Sequence, residues 1–146
     1  MRDQSTYDYA VIRVVPRVER GEFVNAGVIV ACQDSAYLEA RIELDEARLR
    51  ALDPALDLDA IRKHLDAIVA VCRGEASSGS IGKLSRRERF DWLTAPRSTS
   101  IQTSPVHTGR CESPELQLEH LMQTMVRSPR PSAHRGGSTP PAATPG

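Results

Sequence analysis

The sequence predicts an α+β domain in which an antiparallel sheet of three to four strands, beginning with a β-meander, is covered by about three helices. Apolar stretches of strand period fill the first third of the chain, and helical apolar periodicity follows them. From Ser128 to Gly146 there is no Leu, Ile, Val or aromatic residue, and Pro, Gly, Ser and Thr predominate. Such a segment buries too little surface to offset its ordering entropy. We therefore predict one domain over residues 6–127 and a disordered tail over residues 128–146.

Three strands are predicted at the start of the chain. Tyr7–Val15 is rich in β-branched residues, and Pro16 ends it because proline lacks the N–H donor. Phe23–Cys32 is apolar on both faces, which is typical of a central strand covered twice, and Gly27 within it indicates a bulge or a close backbone approach. Tyr37–Leu44 alternates apolar and charged residues, as a half-buried strand does. The short connections predict a meander.

Three helices are predicted after the meander. Asp53 and Pro54 are expected to be the N-cap and first residue of a helix that Gly74 ends. Ser85 and Glu88 form a capping box that begins the second helix. The third helix begins at Ser113-Pro114 and carries an apolar stripe of Leu118, Leu121, Met122 and Met125.

The segment Thr94–Gly109 separates the last two helices. Its many β-branched and hydroxyl residues disfavour a helix, so we expect a fourth strand within Ser98–Val106. The helices are expected to back one face of the sheet, which would leave the other face free for docking.

Composition excludes several classes of protein. The 19 basic and 19 acidic residues balance, so no global field attracts nucleic acid or an anionic membrane. No stretch approaches the roughly 20 apolar residues of a membrane span, and the N-terminus does not resemble a signal peptide. The three cysteines are too far apart for a disulfide framework or a zinc knuckle. We expect a cytoplasmic protein with no cofactor and no metal.

Several separated motifs resemble an uncharacterised bacterial family, the Domain of Unknown Function 3037 family, over about residues 7–126. The resemblance implies no established activity, cofactor or catalytic residue. It suggests a kinase encoded nearby as one partner, because members are linked to kinases of the toxin–antitoxin persistence type. The motifs that carry it are Y-D-Y-A-V-I-R-V-V-P (7–16), R-G-E-F-V-N-A-G-V-I (20–29), G-K-L-S (82–85), R-F-D-W-L-T-A-P-R-S-T (89–99) and S-P-V-H-T-G (104–109).

The segment 94–109 also holds the strongest candidate binding site. Hydroxyls, backbone amides and a guanidinium are the parts of a phosphate or carboxylate cradle. A simpler interpretation is that the hydroxyls belong to a solvated strand. The candidate anion-binding residues are Arg97, Ser98, Thr99, His107 and Thr108.

Other polar residues are assigned more limited roles. Glu22 and His107 are the catalytic candidates, as a carboxylate and an acid or base. Arg13, Arg20 and Asn25 are expected to be structural, with Asn25 tying the first hairpin to an adjacent loop. A small nucleic-acid patch could be formed by Arg86, Arg87 and Arg89 beside Trp92, although a solvated helix face is the ordinary interpretation.

The leading hypothesis is a small binding or adaptor module with a polar anion-type pocket that acts with a protein partner. The alternative is a small enzyme acting on a phosphorylated or carboxylated substrate with His107, Arg97 and Glu22. A weak nucleic-acid binder is the third interpretation. An enzyme needs those three side chains to converge in one pocket, whereas a binding module needs an exposed apolar patch.

Overall fold

An antiparallel sheet organises residues 4–127, the part of the chain that the computed structural model describes. The strand order is β3-β2-β1, and β4 and β5 both pair with the remaining side of β1. The predicted meander is therefore confirmed, whereas the tail predicted for residues 128–146 lies outside the described residues. The strands are β1 Ser5–Val14, β2 Val24–Cys32, β3 Tyr37–Ile42, β4 Ile101–Thr103 and β5 His107–Cys111.

Two short strands, β4 and β5, follow the helix Arg86–Leu93, where a single fourth strand was predicted. β4 pairs with residues 12–14 of β1, and β5 pairs with residues 5–9. Ser104 joins them, since its N–H donates to the Val11 carbonyl at 2.8 Å and its Oγ accepts from the Val11 N–H at 2.9 Å. These bonds satisfy the β1 backbone where the ladder is interrupted. β4 lies within the predicted span 98–106, whereas β5 lies wholly after that span and was not predicted.

Helical segments connect and follow the strands: α1 Glu46–Leu52, α2 Leu58–Arg73, α3 Arg86–Leu93, α4 Pro114–Leu121 and a π-helix at Met122–Val126. The predicted start of a helix at Asp53 is wrong, because Asp53 is the C-cap of α1. Asp45 caps α1 by accepting from the Arg48 N–H, and Asp57 caps α2 by accepting from the Ala60 N–H. α1 was not predicted from the sequence, because only one of its residues is buried and its apolar periodicity is therefore weak. The capping box at the start of α3 is confirmed.

Two hydrophobic cores lie on opposite faces of the sheet. One contains residues of α1, α2 and α3 packed on the strands. The other lies between α4 with the π-helix and one face of β2, so β2 is covered on both sides as predicted. The helices were expected to cover one face of the sheet and leave the other free. This expectation is wrong along β2, where α4 and the π-helix cover the second face. The second core consists of Tyr7, Val28, Val30, Cys32, Cys111, Leu118, Leu121, Met122 and Val126.

A β-bulge distorts the central pair of strands. Ile12 pairs with Gly27 and Arg13 pairs with Asn25, which leaves Ala26 as the extra residue of β2. Gly27 allows the close approach of the next strand, since a Cβ there would lie 2.5 Å from the Arg41 carbonyl oxygen. The glycine prediction is confirmed. The bulge also places Arg13 and Asn25 side by side on the α4 face.

The described residues thus form the predicted α+β fold, with five strands and four α-helices where three to four strands and about three helices were expected. Within residues 4–127 no helix is both long and apolar enough to cross a membrane.

Candidate functional site

Two buried polar side-chain atoms have no hydrogen-bond partner within residues 4–127: Nε of Arg13 and Oδ1 of Asn25. Their Cα atoms face each other across β1 and β2, beside the bulge. An unsatisfied buried donor or acceptor costs about 1–3 kcal/mol, so native proteins keep few of them. An unsatisfied donor and an unsatisfied acceptor on neighbouring residues therefore indicate a candidate binding site at this point of the sheet.

Neighbouring elements hold both side chains in place. The guanidinium carbon of Arg13 lies 4.3 Å from the centroid of the Phe23 ring, a cation–π contact. Nδ2 of Asn25 donates to the Met125 carbonyl at 2.9 Å, and that carbonyl belongs to the last turn of the π-helix, where intrahelical partners are lacking. We call Arg13, Phe23, Asn25 and Met125 the Arg13 site. β-Bulges and π-helical turns both occur preferentially at functional sites.

The Arg13 site has an apolar rim that solvent reaches. Phe23 is 44% exposed and Met125 is 38% exposed, although Met125 was predicted to belong to a buried stripe. Within the described residues Arg13 forms no ion pair. An unpaired guanidinium beside an exposed aromatic ring can bind a carboxylate or phosphate group with apolar neighbours.

Arg97, the predicted anion clamp, binds the backbone. Its guanidinium donates to the carbonyls of Trp92 at 2.7 Å and Leu93 at 3.1 Å, and it stacks on the Trp92 ring at 4.7 Å. These bonds cap the C-terminal end of α3. Thr99 donates its hydroxyl to the Ile101 carbonyl at 2.8 Å, and Ser98 is exposed. Two of the three guanidinium nitrogens of Arg97 and the Thr99 hydroxyl thus already donate to carbonyl groups.

His107 and Glu22 lie in other parts of the structure. The His107 ring is 5.2 Å from Tyr9, which packs on the α4 side of the sheet, whereas Arg97 caps α3 on the opposite side. Glu22 forms a bidentate pair with Arg20 at 2.8 and 3.0 Å at the exposed hairpin, and the hydrogen bond from Arg20 lowers the pKa of Glu22. The structure does not bring Arg97, His107 and Glu22 together.

Thr108 belongs to a polar cluster that sequence reasoning missed. Its hydroxyl donates to Asp8 at 2.6 Å, and Arg87 donates to the other Asp8 oxygen at 2.8 Å. Burial alone would raise the pKa of Asp8, but the bonds from Thr108 and Arg87 outweigh it and lower that pKa. Three distant parts of the chain meet here, and no short-range pattern reveals this. Asp8 and Arg87 line a cleft of about 460 Å³, which also includes Thr6, Gln33, Asp34, Ser85 and Arg86.

The Asp8 cluster predicts a specific dependence of stability on pH. The folded state depresses the pKa of Asp8, so its contribution is present above the ordinary carboxyl value and is lost as the pH falls through the folded value. We expect Asp8→Asn to cost about 0.5–1 kcal/mol at neutral pH and to reduce the loss of stability on acidification. Urea unfolding at neutral pH and at pH about 3 measures both effects.

Asp34→Asn is the matched control for this experiment, because Asp34 lines the same cleft and forms no ion pair or side-chain hydrogen bond within residues 4–127. Equal acid sensitivity of wild type and Asp8→Asn would contradict the assignment.

The three arginines proposed as a nucleic-acid patch have different environments. Arg89 is buried, and Arg87 pairs with Asp8 and with Asp91 at 3.0 Å. Among the three, Arg86 alone has no ion pair or side-chain hydrogen bond within the described residues. A single unpaired guanidinium provides a very small electrostatic footprint for a nucleic acid.

Cysteine and metal chemistry find no support in the described part of the chain. Cys32, Cys72 and Cys111 are buried thiols. Burial raises the pKa of Cys72 to about 12 and also raises that of Cys111, which disfavours the reactive thiolate. Residues 4–127 contain no group of three or more His, Cys, Asp or Glu side chains positioned to hold a metal ion.

The fold and the Arg13 site together define an α+β protein with a bulged central strand and an unpaired guanidinium beside it. A family model described as "Protein of unknown function (DUF3037)" matches residues 9–126, and the chain belongs to that family. The match includes every residue of the Arg13 site. No curated protein and no solved structure matches the chain.

Proposed function

We propose that this protein is a non-enzymatic binding or adaptor module that docks a protein partner at the Arg13 site. The single observation that carries the proposal is the adjacent pair of buried atoms without partners, Arg13 Nε and Asn25 Oδ1. Both atoms are buried, so a partner reaches them only when the Arg13 and Asn25 side chains turn outward; an acceptor for the first atom and a donor for the second would then remove both penalties. The partner segment in this proposal carries a carboxylate side chain flanked by apolar residues.

The composition of the rim supports a polypeptide as the ligand. Arg, aromatic residues and Met are enriched in protein–protein interfaces, and Phe23 and Met125 provide exposed apolar surface around Arg13. The three buried thiols fit a reducing compartment, and we place the module in the cytoplasm.

Selection from a displayed peptide library, with the full chain as bait, tests this proposal. We expect selected peptides to be enriched in Asp or Glu beside Leu, Phe or Met. Arg13→Gln should weaken their binding by about tenfold or more, which corresponds to at least about 1.4 kcal/mol. The melting temperature should change little, because the variant loses no ion pair, and removal of an unsatisfied donor offsets loss of the cation–π contact with Phe23.

Arg110→Gln is the matched control. Arg110 is exposed on β5, and its guanidinium makes one long hydrogen bond, 3.5 Å, to the Gln4 carbonyl. Peptides that bind Arg13→Gln as tightly as the wild type, or that show no enrichment of acidic residues, would overturn the proposal.

A further inference from the structure

β3 is an edge strand whose outer side is unpaired within residues 4–127. The Glu43 N–H donates to the Ala26 carbonyl at 2.8 Å, just beyond the last pair of the β2–β3 register. Because hydrogen-bonded pairs alternate along an antiparallel ladder, the N–H and C=O groups of Leu38, Ala40 and Ile42 face away from β2. An open row of backbone donors and acceptors of this kind is a template for one more strand.

A groove of about 710 Å³ follows this edge. Side chains of α2 form one wall, and Glu115 at the start of α4 contributes to the other. The carboxylates of Asp66, Glu75 and Glu115 line the groove and take part in no hydrogen bond or ion pair within the described residues. The groove therefore has an excess of negative charge directly beside the unpaired backbone.

One ion pair crosses the open edge. Arg73 of α2 donates to Glu39 at 3.2 Å, although α2 packs on one face of the sheet and the Glu39 side chain lies on the α4 face. The two side chains are 55% and 32% exposed, so solvent reaches the pair. Exposed pairs of this kind contribute only about 0–1 kcal/mol, and an incoming cation can replace Arg73 as the partner of Glu39. The pair deters unspecific strand pairing without closing the edge.

We propose that the β3 edge binds a basic polypeptide segment in extended conformation, which adds to the sheet as a further strand. The outward backbone groups supply the hydrogen bonds, and the three unpaired carboxylates select Lys or Arg side chains. A second copy of this chain fits poorly, because edge-to-edge pairing would place two acidic grooves against each other. This surface is separate from the Arg13 site and its proposal stands independently.

The probe is a capped hexapeptide of alternating Arg and Val, labelled with a fluorophore and titrated with the full chain. We expect saturable binding in anisotropy and slower hydrogen exchange of the Leu38, Ala40 and Ile42 amides. Glu75→Gln and Glu115→Gln should each weaken binding by about two- to fivefold, the range expected for an exposed ion pair. Glu19→Gln, which changes an exposed carboxylate at the hairpin, should leave binding unchanged.

Two further kinds of peptide separate strand addition from simple charge attraction. Two N-methylated versions of the same sequence are made, one with methyl groups on the Arg amides and one with methyl groups on the Val amides. Each keeps its charge and loses the N–H donors on one side of the strand. A peptide of alternating Glu and Val keeps the donors and reverses the charge. We expect the version whose methylated amides face β3 and the Glu/Val peptide not to bind measurably, whereas the version whose methyl groups face away from β3 keeps its donors and should bind. Equal affinity of the N-methylated peptides, or unchanged exchange at the three β3 amides, would overturn the proposal.

Discussion

Arg89→Met is expected to lower the free energy of unfolding by about 2–4 kcal/mol. The Arg89 side chain is 9% exposed and donates to the carbonyls of Val71 at 2.8 Å, Cys72 at 2.7 Å and Leu84 at 3.0 Å. Two of these carbonyls are in the last turn of α2, where helical partners are lacking and a positive charge is favoured. Methionine fills a similar volume and removes the Arg89 donor from all three carbonyls, of which only that of Val71 keeps a second donor within the described residues, the Gly74 N–H at 3.0 Å.

Urea unfolding of the two variants Arg89→Met and Arg86→Met measures this effect. Arg86 lies one turn earlier in α3, is exposed, and has no ion pair or side-chain hydrogen bond within residues 4–127, so the same substitution should change stability by less than about 0.5 kcal/mol. Equal stabilities of the two variants would show that Arg89 does not hold the end of α2.

Gly27→Ala is expected to cost about 2–3 kcal/mol, because overpacking at this point displaces backbone. A Cβ at residue 27 would lie 2.5 Å from the Arg41 carbonyl oxygen and 2.8 Å from Ile42 Cδ1. The carbonyl is part of the β2–β3 ladder, so relief of the clash requires the two strands to separate. Chemical denaturation measures the loss.

Gly109→Ala is the comparison for Gly27→Ala, because its nearest neighbour is a side chain. A Cβ at residue 109 would lie 2.9 Å from Tyr7 Cε1, and a ring can rotate away at smaller cost. We expect the Gly109 variant to lose less than the Gly27 variant. A larger loss at Gly109 would indicate that the Tyr7 ring, which stacks on Tyr9 at 5.9 Å, is held more firmly than the β2–β3 pair.

The sequence predicted those elements of the fold whose local backbone structure is determined by a short pattern of residues. Period-two alternation identified the meander, Gly27 indicated a close approach, and the Ser85–Glu88 box began α3. α1 was missed because a short helix with one buried residue has little apolar periodicity, and Asp53 was misassigned because it follows one helix and precedes another.

The candidate site was harder to predict because it depends on contacts between distant residues. Arg97 and His107 belong to one polar segment, but Arg97 bonds to the end of α3 and His107 lies on the other face of the sheet. Arg13 and Asn25 were singled out as structural, and only the bulge brings them side by side. One sequence signal was available: a guanidinium and an amide are unusual at matching positions of two apolar strands.

The position of β1 between β2 and β4–β5 affects how the protein is made. Val11 bonds to Ser104, 93 positions later in the chain. A ribosome that adds about 5–20 residues per second takes about 5–20 s to synthesise that interval. During this time the newly made meander has an unpaired hydrophobic flank along β1 while translation continues. Sheet completion therefore waits until residues 101–111, which form β4 and β5, have been made, and we expect the open side of β1 to be exposed during that delay.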